Sequence, residues 1–427
     1  MWKDYLDNRL KLHWMSDNFK SAYSNNPCYG PSNEYWGRHA LAQVERERKA
    51  KGGSIYYLNG GVTEFLEDGE LVRAAPPDWI VEEVKKGIGL AKGWDKKESE
   101  LRQLIAEWYQ RLYGFEIDGG SEVALVVGAS FGTDAVARIT AGPGDEVLIM
   151  DPDYVTYMPQ VASTGATIVP VPLKEEKGEW HFSFEELEKR ASPRSKLLMM
   201  SNANNPSGFF YTKNDLESIA DLAKKYDFMV FHDQVSEEYI LDKSSKLISL
   251  ASLPEMKERT VIASSFSKMY QCGNFRTGWI VANKSFCEAA LQYRAWSNDG
   301  IVKPAVDASL AVLKDEYKKE RKKWVENKLD DLKKKRDNMK KKLSEIKGVV
   351  PNTCRGHYWA WPNVSSFGRT SQELAEYLLR DVGVYCRPGT WYGTNGEGHF
   401  RLNFSLPIEY MNEALDKMKT GLNKLPS

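Results

Sequence analysis

The stretch Ser265-Phe266-Ser267-Lys268 decides how the rest of this chain is interpreted. It follows an apolar run, residues 261–263, that has the composition of a buried strand. A lysine so close to a buried strand is an unusual choice for packing alone, because lysine is rarely buried without a partner. Arg276 comes eight residues later. The pattern indicates a lysine that binds a carbonyl cofactor as a Schiff base, with Ser265 and Arg276 holding the phosphate of that cofactor.

The size and charge of the chain favour small-molecule chemistry. Its 427 residues are enough for two or three domains of roughly 150 residues each. Apolar residues make up 42% of the chain, which allows a sizeable core. Lysine plus arginine and aspartate plus glutamate both count 59, so the formal net charge is zero. This balance gives no electrostatic reason to expect nucleic acid or an anionic membrane as a partner.

The cysteine pattern favours a reducing compartment. The chain has an odd number of cysteines and no C-x-x-C spacing; they are Cys28, Cys272, Cys287, Cys354 and Cys386. A disulfide framework or a thiolate metal site is therefore not expected. No apolar run approaches the roughly 18 residues of a membrane span, and the first residues lack the apolar region of a signal peptide. We expect a cytoplasmic protein without a metal site.

Short β-rich runs alternate with amphipathic helical patterns, which predicts an α/β fold. We predict an N-terminal arm over residues 1–55 and a large domain over 56–305, with a mostly parallel sheet flanked by helices. A smaller α+β domain is predicted over 306–427, together with part of the N-terminal segment. The predicted strands of the large sheet are Val123–Val127, Glu146–Met150, Thr167–Val171, Leu197–Ser201, Phe228–His232, Thr260–Ala263 and Gly278–Ala282. A Lys- and Glu-rich segment at 314–347 predicts a long solvated helix.

Three loops that follow predicted strands suit a phosphate-bearing ring, because ligands of such sheets gather at the carboxyl ends of the strands. Gly128-Ala129-Ser130 opens a helix and can bind phosphate through backbone N–H groups and a hydroxyl, although most such turns are plain connections. Tyr154 can stack on a planar ring or pack in the core, and the sequence leaves both open. The turn Asn205–Gly208 can aim the Asn205 amide at a phenolic oxygen.

Two charged residues stand in apolar surroundings and need partners. Asp233 follows the apolar run 228–232, and an unpaired buried carboxylate is costly. A protonated pyridine nitrogen is a suitable partner, since that ion pair would strengthen pyridoxal phosphate as an electron sink. Arg401 lies in an otherwise apolar strand, where its guanidinium suits a substrate carboxylate. The alternative for Arg401 is a buried ion pair with an aspartate or glutamate.

These motifs, in this order, resemble those of the class I/II aminotransferases, which are fold type I enzymes that depend on pyridoxal phosphate. The resemblance covers about residues 55–425. Each motif is modest alone, whereas their joint occurrence in this order and spacing is specific. The matching positions are Gly61, Gly128–Ser130, Pro152–Tyr154, Asn205–Gly208, Asp233, Ser265, Lys268, Arg276, Pro388–Gly393 and Arg401.

The resemblance implies a fold, a cofactor and a reaction. It implies pyridoxal 5'-phosphate at the carboxyl edge of the sheet, transfer of an amino group between an amino acid and a 2-oxo acid, and a two-fold homodimer. It gives Lys268 as the catalytic residue and Gly61, Asn205 and Arg401 as the substrate-binding residues. The residues expected to bind the cofactor are Gly128, Ala129, Ser130, Tyr154, Asn205, Asp233, Ser236, Ser265, Lys268 and Arg276.

The sequence departs from the family pattern at two places. The family reads Asp-x-x-Tyr after the pyridine-binding strand, whereas this chain has Ser236 three residues after Asp233, with Tyr239 one helical turn further. Serine is too short to make the direct bond of the tyrosine hydroxyl to the phenolic oxygen. Trp94 stands where the family has a tyrosine that reaches the phosphate of the neighbouring subunit, and the glycine that precedes Leu-Arg is missing before Leu101.

These departures leave two alternatives to transamination. The same scaffold supports elimination, replacement, cyclisation and oxidation of amino acids, because a fold does not dictate the reaction. A non-catalytic binding or regulatory relative is the other alternative. Five residues of the proposed site occur together and argue against it, namely Lys268, Asp233, Asn205, Arg276 and Arg401. The substrate side chain is not readable. No second arginine placed for a dicarboxylate is evident, so the sequence does not predict specificity for aspartate or glutamate.

Overall fold

The computed structural model describes residues 39–61, 63–68, 70–88, 93–242 and 244–425. Most of the predicted N-terminal arm, up to residue 38, lies outside the described residues. The strands are β1 Tyr56–Tyr57, β2 Glu64–Glu67, β3 Glu70–Arg73, β4 Val123–Val126, β5 Glu146–Asp151, β6 Thr167–Pro172, β7 Lys174–Glu176, β8 Glu179–His181, β9 Ser195–Ser201, β10 Met229–Asp233, β11 Thr260–Ser264, β12 Gly278–Val281, β13 Trp359–Ala360, β14 Val384–Tyr385, β15 Arg387–Pro388 and β16 Phe400–Asn403.

The α-helices of the described residues lie between and after these strands. They are α1 His39–Ala50, α2 Asp78–Gly87, α3 Trp94–Tyr113, α4 Ala129–Thr140, α5 Tyr157–Ala162, α6 Phe184–Arg190, α7 Lys213–Tyr226, α8 Lys284–Asn298, α9 Lys303–Leu313, α10 Lys318–Ser344, α11 Ser371–Tyr377 and α12 Ile408–Leu422. None of these helices is both long enough and apolar enough to cross a membrane.

A seven-stranded sheet in the order β4-β12-β11-β10-β9-β5-β6 forms the centre of the molecule. Strand β12 runs antiparallel to both of its neighbours, β11 and β4, and the other pairs are parallel. The prediction of an α/β fold with a mostly parallel sheet is therefore confirmed. All seven predicted strands occur, with ends within two residues of the predicted ones.

Apolar side chains from both faces of this sheet build the core, as expected for parallel strands that helices cover on both sides. On β9, Leu197 and Met199 belong to one buried cluster, which includes residues of α4, α5 and α8. The alternate residues Leu198 and Met200 belong to the other cluster, which includes residues of α3 and α7. This two-sided burial leaves the ends of the strands as the accessible part of the sheet.

Smaller sheets join distant parts of the chain. Strands β13, β16 and β15 form an antiparallel sheet, and β1 pairs in parallel with β14, which connects residues 56–57 with residues 384–385. The segment predicted as a long solvated helix forms α10, on which Leu332, Met339 and Leu343 are buried. The helix α12 packs against α10.

Candidate active site

The loops that follow β4, β5, β9, β10 and β11 meet at one edge of the large sheet, because these strands all run in the same direction. Each of these loops carries a residue that the sequence singled out. The antiparallel sheet of β13, β16 and β15 supplies further residues from the opposite side. The site is therefore assembled between two sheets that are far apart in sequence.

Lys268 lies four residues beyond the end of β11 and points towards the loop that carries Gly61. Its Nζ donates a hydrogen bond to the Gly61 carbonyl oxygen at 3.0 Å, and the Tyr358 hydroxyl donates to the same oxygen at 2.8 Å. Burial lowers the pKa of Lys268 to about 8, and the cationic side chains of Arg401 and Arg387 act in the same direction. About a fifth of this amine is then neutral near physiological pH, far more than of an ordinary exposed lysine.

Asp233 ends β10 as a buried carboxylate with 9% of its surface exposed. Its Oδ2 accepts a hydrogen bond from the Tyr157 hydroxyl at 2.8 Å, and its Oδ1 accepts one from the Val235 N–H at 3.0 Å. Burial raises the pKa of Asp233, whereas the two hydrogen bonds and the charge of Lys268 oppose that shift. The carboxylate is therefore held in one orientation, and a cationic ring nitrogen would stabilise its charged form.

The turn between β4 and α4 forms a cradle that an added Cβ would fill. Gly128 has a φ of 75°, and a Cβ at this position would lie 2.4 Å from Nη2 of Arg276. A Cβ at Gly278 would lie 2.6 Å from the backbone nitrogen of Ala129, the first residue of α4. Backbone N–H groups of a helix start, the Ser130 hydroxyl and a guanidinium form a donor set that fits a phosphate.

Ser265 and Tyr154 lie beside this cradle. Ser265 is buried, and its Oγ accepts a hydrogen bond from the Ser267 N–H at 3.4 Å. Tyr154 is partly exposed at the end of β5, with its ring edge-on to Tyr157 at 5.6 Å. Burial raises the pKa of Tyr154, and its interaction with Ser130 opposes that shift. The structure thus puts Tyr154 next to the cradle and not deep in the core.

Arg401 reaches the same edge from β16 and is 3% exposed. Its Nη1 donates to Oδ1 of Asn205 at 3.2 Å, and its guanidinium lies 4.3 Å from the Trp359 ring and 4.9 Å from the Tyr392 ring. These contacts are an amide and two aromatic faces, and among the described residues no carboxylate forms the ion pair with Arg401 that remained as an alternative. Burial lowers the pKa of Arg401 to about 10.

Ser236 is 5% exposed, and its carbonyl oxygen accepts a hydrogen bond from the Tyr239 N–H at 3.0 Å. Among the described residues, no contact joins its hydroxyl to Lys268 or Asp233. The Tyr239 hydroxyl is buried without a hydrogen-bond partner in the described part of the chain, and its ring packs edge-on against Tyr358 at 5.2 Å. The helix α3 begins at Trp94, whose side chain lies outside the described residues.

Sequence reasoning missed four residues of this site. Tyr358 and Trp359 contact Gly61, Lys268 and Arg401 from β13 and the residue before it. Asp153 is buried and accepts hydrogen bonds from the N–H groups of Ser201 at 3.0 Å and Tyr154 at 2.7 Å, so it ties two loops together.

The fourth missed residue is Arg387. It lies directly opposite Arg401 in the antiparallel pairing of β15 with β16. The only signal in the sequence was a lone arginine immediately before the Pro388–Gly393 block. Pairing between strands is needed to see that Arg387 faces the site.

Comparison with known proteins identifies the family. Residues 66–418 match the model of the family described as "Aminotransferase class I and II". This chain is a member of that family. It is 31% identical over 327 residues to aromatic-amino-acid aminotransferase 2 of Thermococcus litoralis, covering 76% of this chain and 82% of the relative. It is 32% identical over 331 residues to an aspartate aminotransferase of Pyrococcus abyssi, with the same coverage of 76% and 82%.

A solved structure gives the same result. An aromatic aminotransferase from Pyrococcus horikoshii superposes with a TM-score of 0.79 at 28% identity, covering 89% of this chain and 99% of that structure. The protein is therefore an enzyme, an aminotransferase, that transfers an amino group between an amino acid and a 2-oxo acid. The comparisons favour transamination over the alternative reactions and over a non-catalytic role.

Proposed function

We propose that this aminotransferase uses pyridoxal 5'-phosphate and that Lys268 supplies the amine that holds the cofactor carbonyl. The observation that carries this proposal is the environment of Lys268. Burial and neighbouring cations lower its pKa to about 8, and it stands at the same edge as the acid at Asp233 and the phosphate cradle. When bound, the cofactor supplies an electron sink and a carbonyl that accepts the amino group.

The residues of the cradle fit the cofactor phosphate. Gly128 and Ala129 provide backbone N–H groups, Ser130 and Ser265 provide hydroxyls, and Arg276 provides a guanidinium. Because Gly128 and Gly278 lack a Cβ, the backbone and the guanidinium approach each other closely enough to surround one anion. We propose this set as the phosphate site.

Asp233 and its neighbours would hold the ring. The Asp233 carboxylate would keep a pyridine nitrogen protonated, and the hydrogen bond from Tyr157 fixes the orientation of that carboxylate. Tyr154 offers its ring as a stacking partner. The Asn205 amide and Ser236 lie on loops that border the site, and we propose that they contact polar groups of the ring.

Arg401 would bind the α-carboxylate of the substrate through its guanidinium, with Asn205 orienting it at 3.2 Å. The Gly61 carbonyl accepts a hydrogen bond from the Lys268 amine when that amine is free, and the Tyr358 hydroxyl holds the carbonyl in place. An amine with a pKa of about 8 both accepts and returns a proton near neutral pH, so Lys268 can move a proton to and from the substrate Cα.

We further propose a cytoplasmic homodimer whose partners are amino acids and 2-oxo acids. The cysteines at 272, 287, 354 and 386 are free and buried, which is compatible with a reducing compartment. The pairing of β1 with β14 supports a small domain that combines residues from both ends of the chain. The boundaries at residues 55 and 305 remain part of this proposal.

The proposal is tested by mass analysis of the cofactor after one incubation. Protein loaded with pyridoxal phosphate is mixed with pooled amino acids in the absence of any oxo acid. We expect conversion to pyridoxamine phosphate in the wild type and in Lys257→Ala, a control whose lysine pairs with Glu122 away from the site. Lys268→Ala should show none. Unchanged cofactor in the wild type, with an amino acid consumed, would overturn the proposed reaction.

A further inference from the structure

The two arginines of the small antiparallel sheet face the same side. Arg387 on β15 and Arg401 on β16 are directly opposed in the register of the pair. Side chains that oppose each other across antiparallel strands project from one face, with Cβ atoms about 4.5–5.5 Å apart. Both guanidinium groups therefore project towards the same part of the site.

Contacts with Tyr392 show where the two guanidinium groups lie. Nη1 of Arg387 donates a hydrogen bond to the Tyr392 hydroxyl at 3.3 Å, while the Arg401 guanidinium lies 4.9 Å from the centre of the Tyr392 ring. Both arginines also act on Lys268, and both oppose the rise in the pKa of Tyr154. Arg387 therefore acts on the Lys268 amine together with Arg401.

Placing two like charges directly opposite each other destabilises a pair of strands. Two guanidinium groups on one face can together bind two negative groups of a single ligand. In the proposed function Arg276 belongs to the cofactor phosphate and Arg401 to the α-carboxylate of the substrate. Arg387 is then the cation that faces the rest of the substrate.

We infer that Arg387 binds the side-chain carboxylate of a short dicarboxylic substrate. At least one partner in the amino-group exchange is then a dicarboxylic amino acid with its 2-oxo acid. This inference rests on the proposed function, because it uses the roles given there to Arg276 and Arg401. Selectivity for dicarboxylic substrates would then depend on Arg387, which belongs to the same chain as Lys268.

A purely structural role for Arg387 makes a different prediction. An arginine that only supports Tyr392 would affect mono- and dicarboxylates equally, because both use Arg401. An arginine that binds the second carboxylate affects the dicarboxylate alone. The difference between the two ligand classes therefore separates the roles.

Equilibrium binding of two unreactive acids provides the test. Calorimetry would measure the dissociation constants of succinate and of butyrate for protein loaded with pyridoxal phosphate. The wild type should bind succinate at least about tenfold more tightly, since a hydrogen bond to a charged group stabilises by roughly 1.5–3 kcal/mol. Arg387→Gln should lose that preference while its butyrate constant stays within about threefold.

Two further variants complete the comparison. Arg387→Lys keeps the charge and should retain part of the preference for succinate. Arg355→Gln removes a surface arginine that pairs with Glu179, and it should behave as the wild type. An Arg387→Gln protein that still prefers succinate by the wild-type ratio would overturn the inference, as would a wild type with no preference.

Two combinations of results distinguish a failure of the proposed carboxylate site from a failure of the proposed reaction. If pyridoxamine phosphate forms and Arg387→Gln leaves the succinate preference intact, the inference fails and the proposed function stands. If the preference depends on Arg387 but no pyridoxamine phosphate forms with any amino acid, the carboxylate site stands and the proposed reaction fails.

Discussion

At the scale of single residues, Lys268 is the reactive amine in the proposed function, and its neighbours make this amine a weaker base than an ordinary lysine. Its pKa falls to about 8 through burial first and through Arg401 and Arg387 next, while Asp233 opposes the shift. An ordinary exposed lysine would be almost fully protonated at neutral pH. The surroundings of Lys268 therefore set its pKa and the share of the amine that is neutral.

The pH dependence of cofactor loading should report this pKa. The rate at which apoprotein attaches pyridoxal phosphate should rise as pH increases through about 8, because the neutral amine is the reactive form. Arg401→Gln removes a neighbouring positive charge, so the midpoint should move upward. Stopped-flow absorbance would measure both profiles, with Arg355→Gln as the control. Identical midpoints in the wild type and Arg401→Gln would contradict this account.

Glu237 provides a second test at this scale. Burial raises its pKa to about 8, with Glu238 adding to the shift, and its Oε2 accepts a hydrogen bond from the Tyr113 hydroxyl at 2.9 Å. A raised pKa in the folded state means that its contribution to stability is present below pH about 4.5 and is lost as pH rises through about 8. Glu237→Gln should therefore melt above the wild type at pH 9, by roughly 2 °C or more, and close to it at pH 5. Calorimetry would measure the two melting temperatures across this pH range. A difference between wild type and variant that stays the same from pH 5 to 9 would contradict the raised pKa of Glu237.

Among the secondary-structure elements and their connections, the turn from β4 into α4 is where the sequence pattern says least about ligand binding. Gly128-Ala129-Ser130 was recognisable as a turn before a helix, yet most such turns bind nothing. The distinguishing feature is the approach of Arg276 to Gly128, which only the fold reveals.

Substitution at this turn should weaken cofactor binding without unfolding the protein. Gly128→Ala adds a Cβ at a φ of 75° and 2.4 Å from Nη2 of Arg276, so the dissociation constant for pyridoxal phosphate should rise at least about tenfold. Gly142→Ala, where no atom lies within 4 Å of the new Cβ, is the matched control. Fluorescence titration would measure both. Equal affinity in the two variants would mean that the turn does not hold the phosphate.

The strands were predictable because each one is an apolar run that can be recognised from neighbouring residues in the sequence. Apolar runs such as 123–127 and 260–263 become buried strands covered on both faces, and the observed ends differ from the predicted ones by two residues at most. The helix α3 begins at Trp94, and its first turns carry charged residues without apolar periodicity. No apolar pattern in the sequence therefore marks where this helix starts. A local pattern locates the centre of an element better than its ends.

Arg387 shows what local patterns cannot supply. Its position next to Arg401 depends on the pairing of β15 with β16, and no window of sequence contains that register. The same holds for Tyr358, whose hydroxyl reaches Gly61 across 297 residues of chain. The residues on the strand ends and Arg401 could be predicted, whereas Tyr358, Trp359 and Arg387 at the second sheet could not.

At the scale of the whole molecule, the described surface carries large exposed apolar side chains close to one another in sequence. Trp296 near the end of α8 is 80% exposed, and Val302 before α9 is 53% exposed. Tryptophan is enriched at protein–protein interfaces relative to the rest of the surface. We expect them to contribute to the interface of the proposed homodimer.

Sedimentation equilibrium would test the assembly. The wild type should have twice the 48.6 kDa of the chain at micromolar concentration. Trp296→Glu places a charge in the apolar surface and should weaken the dimer at least about tenfold, whereas Lys257→Ala should leave it unchanged. A monomeric wild type would remove the dimer from the proposal, and a tight Trp296→Glu dimer would place the interface elsewhere.

Borohydride reduction followed by peptide mass mapping would show which lysine binds the cofactor. Protein loaded with pyridoxal phosphate is reduced, digested and searched for the phosphopyridoxyl mass. We expect this mass on the peptide that contains Lys268, and on no peptide of Lys268→Ala. Stoichiometric label on another lysine, such as Lys328, whose pKa burial also lowers to about 8, would contradict the assignment.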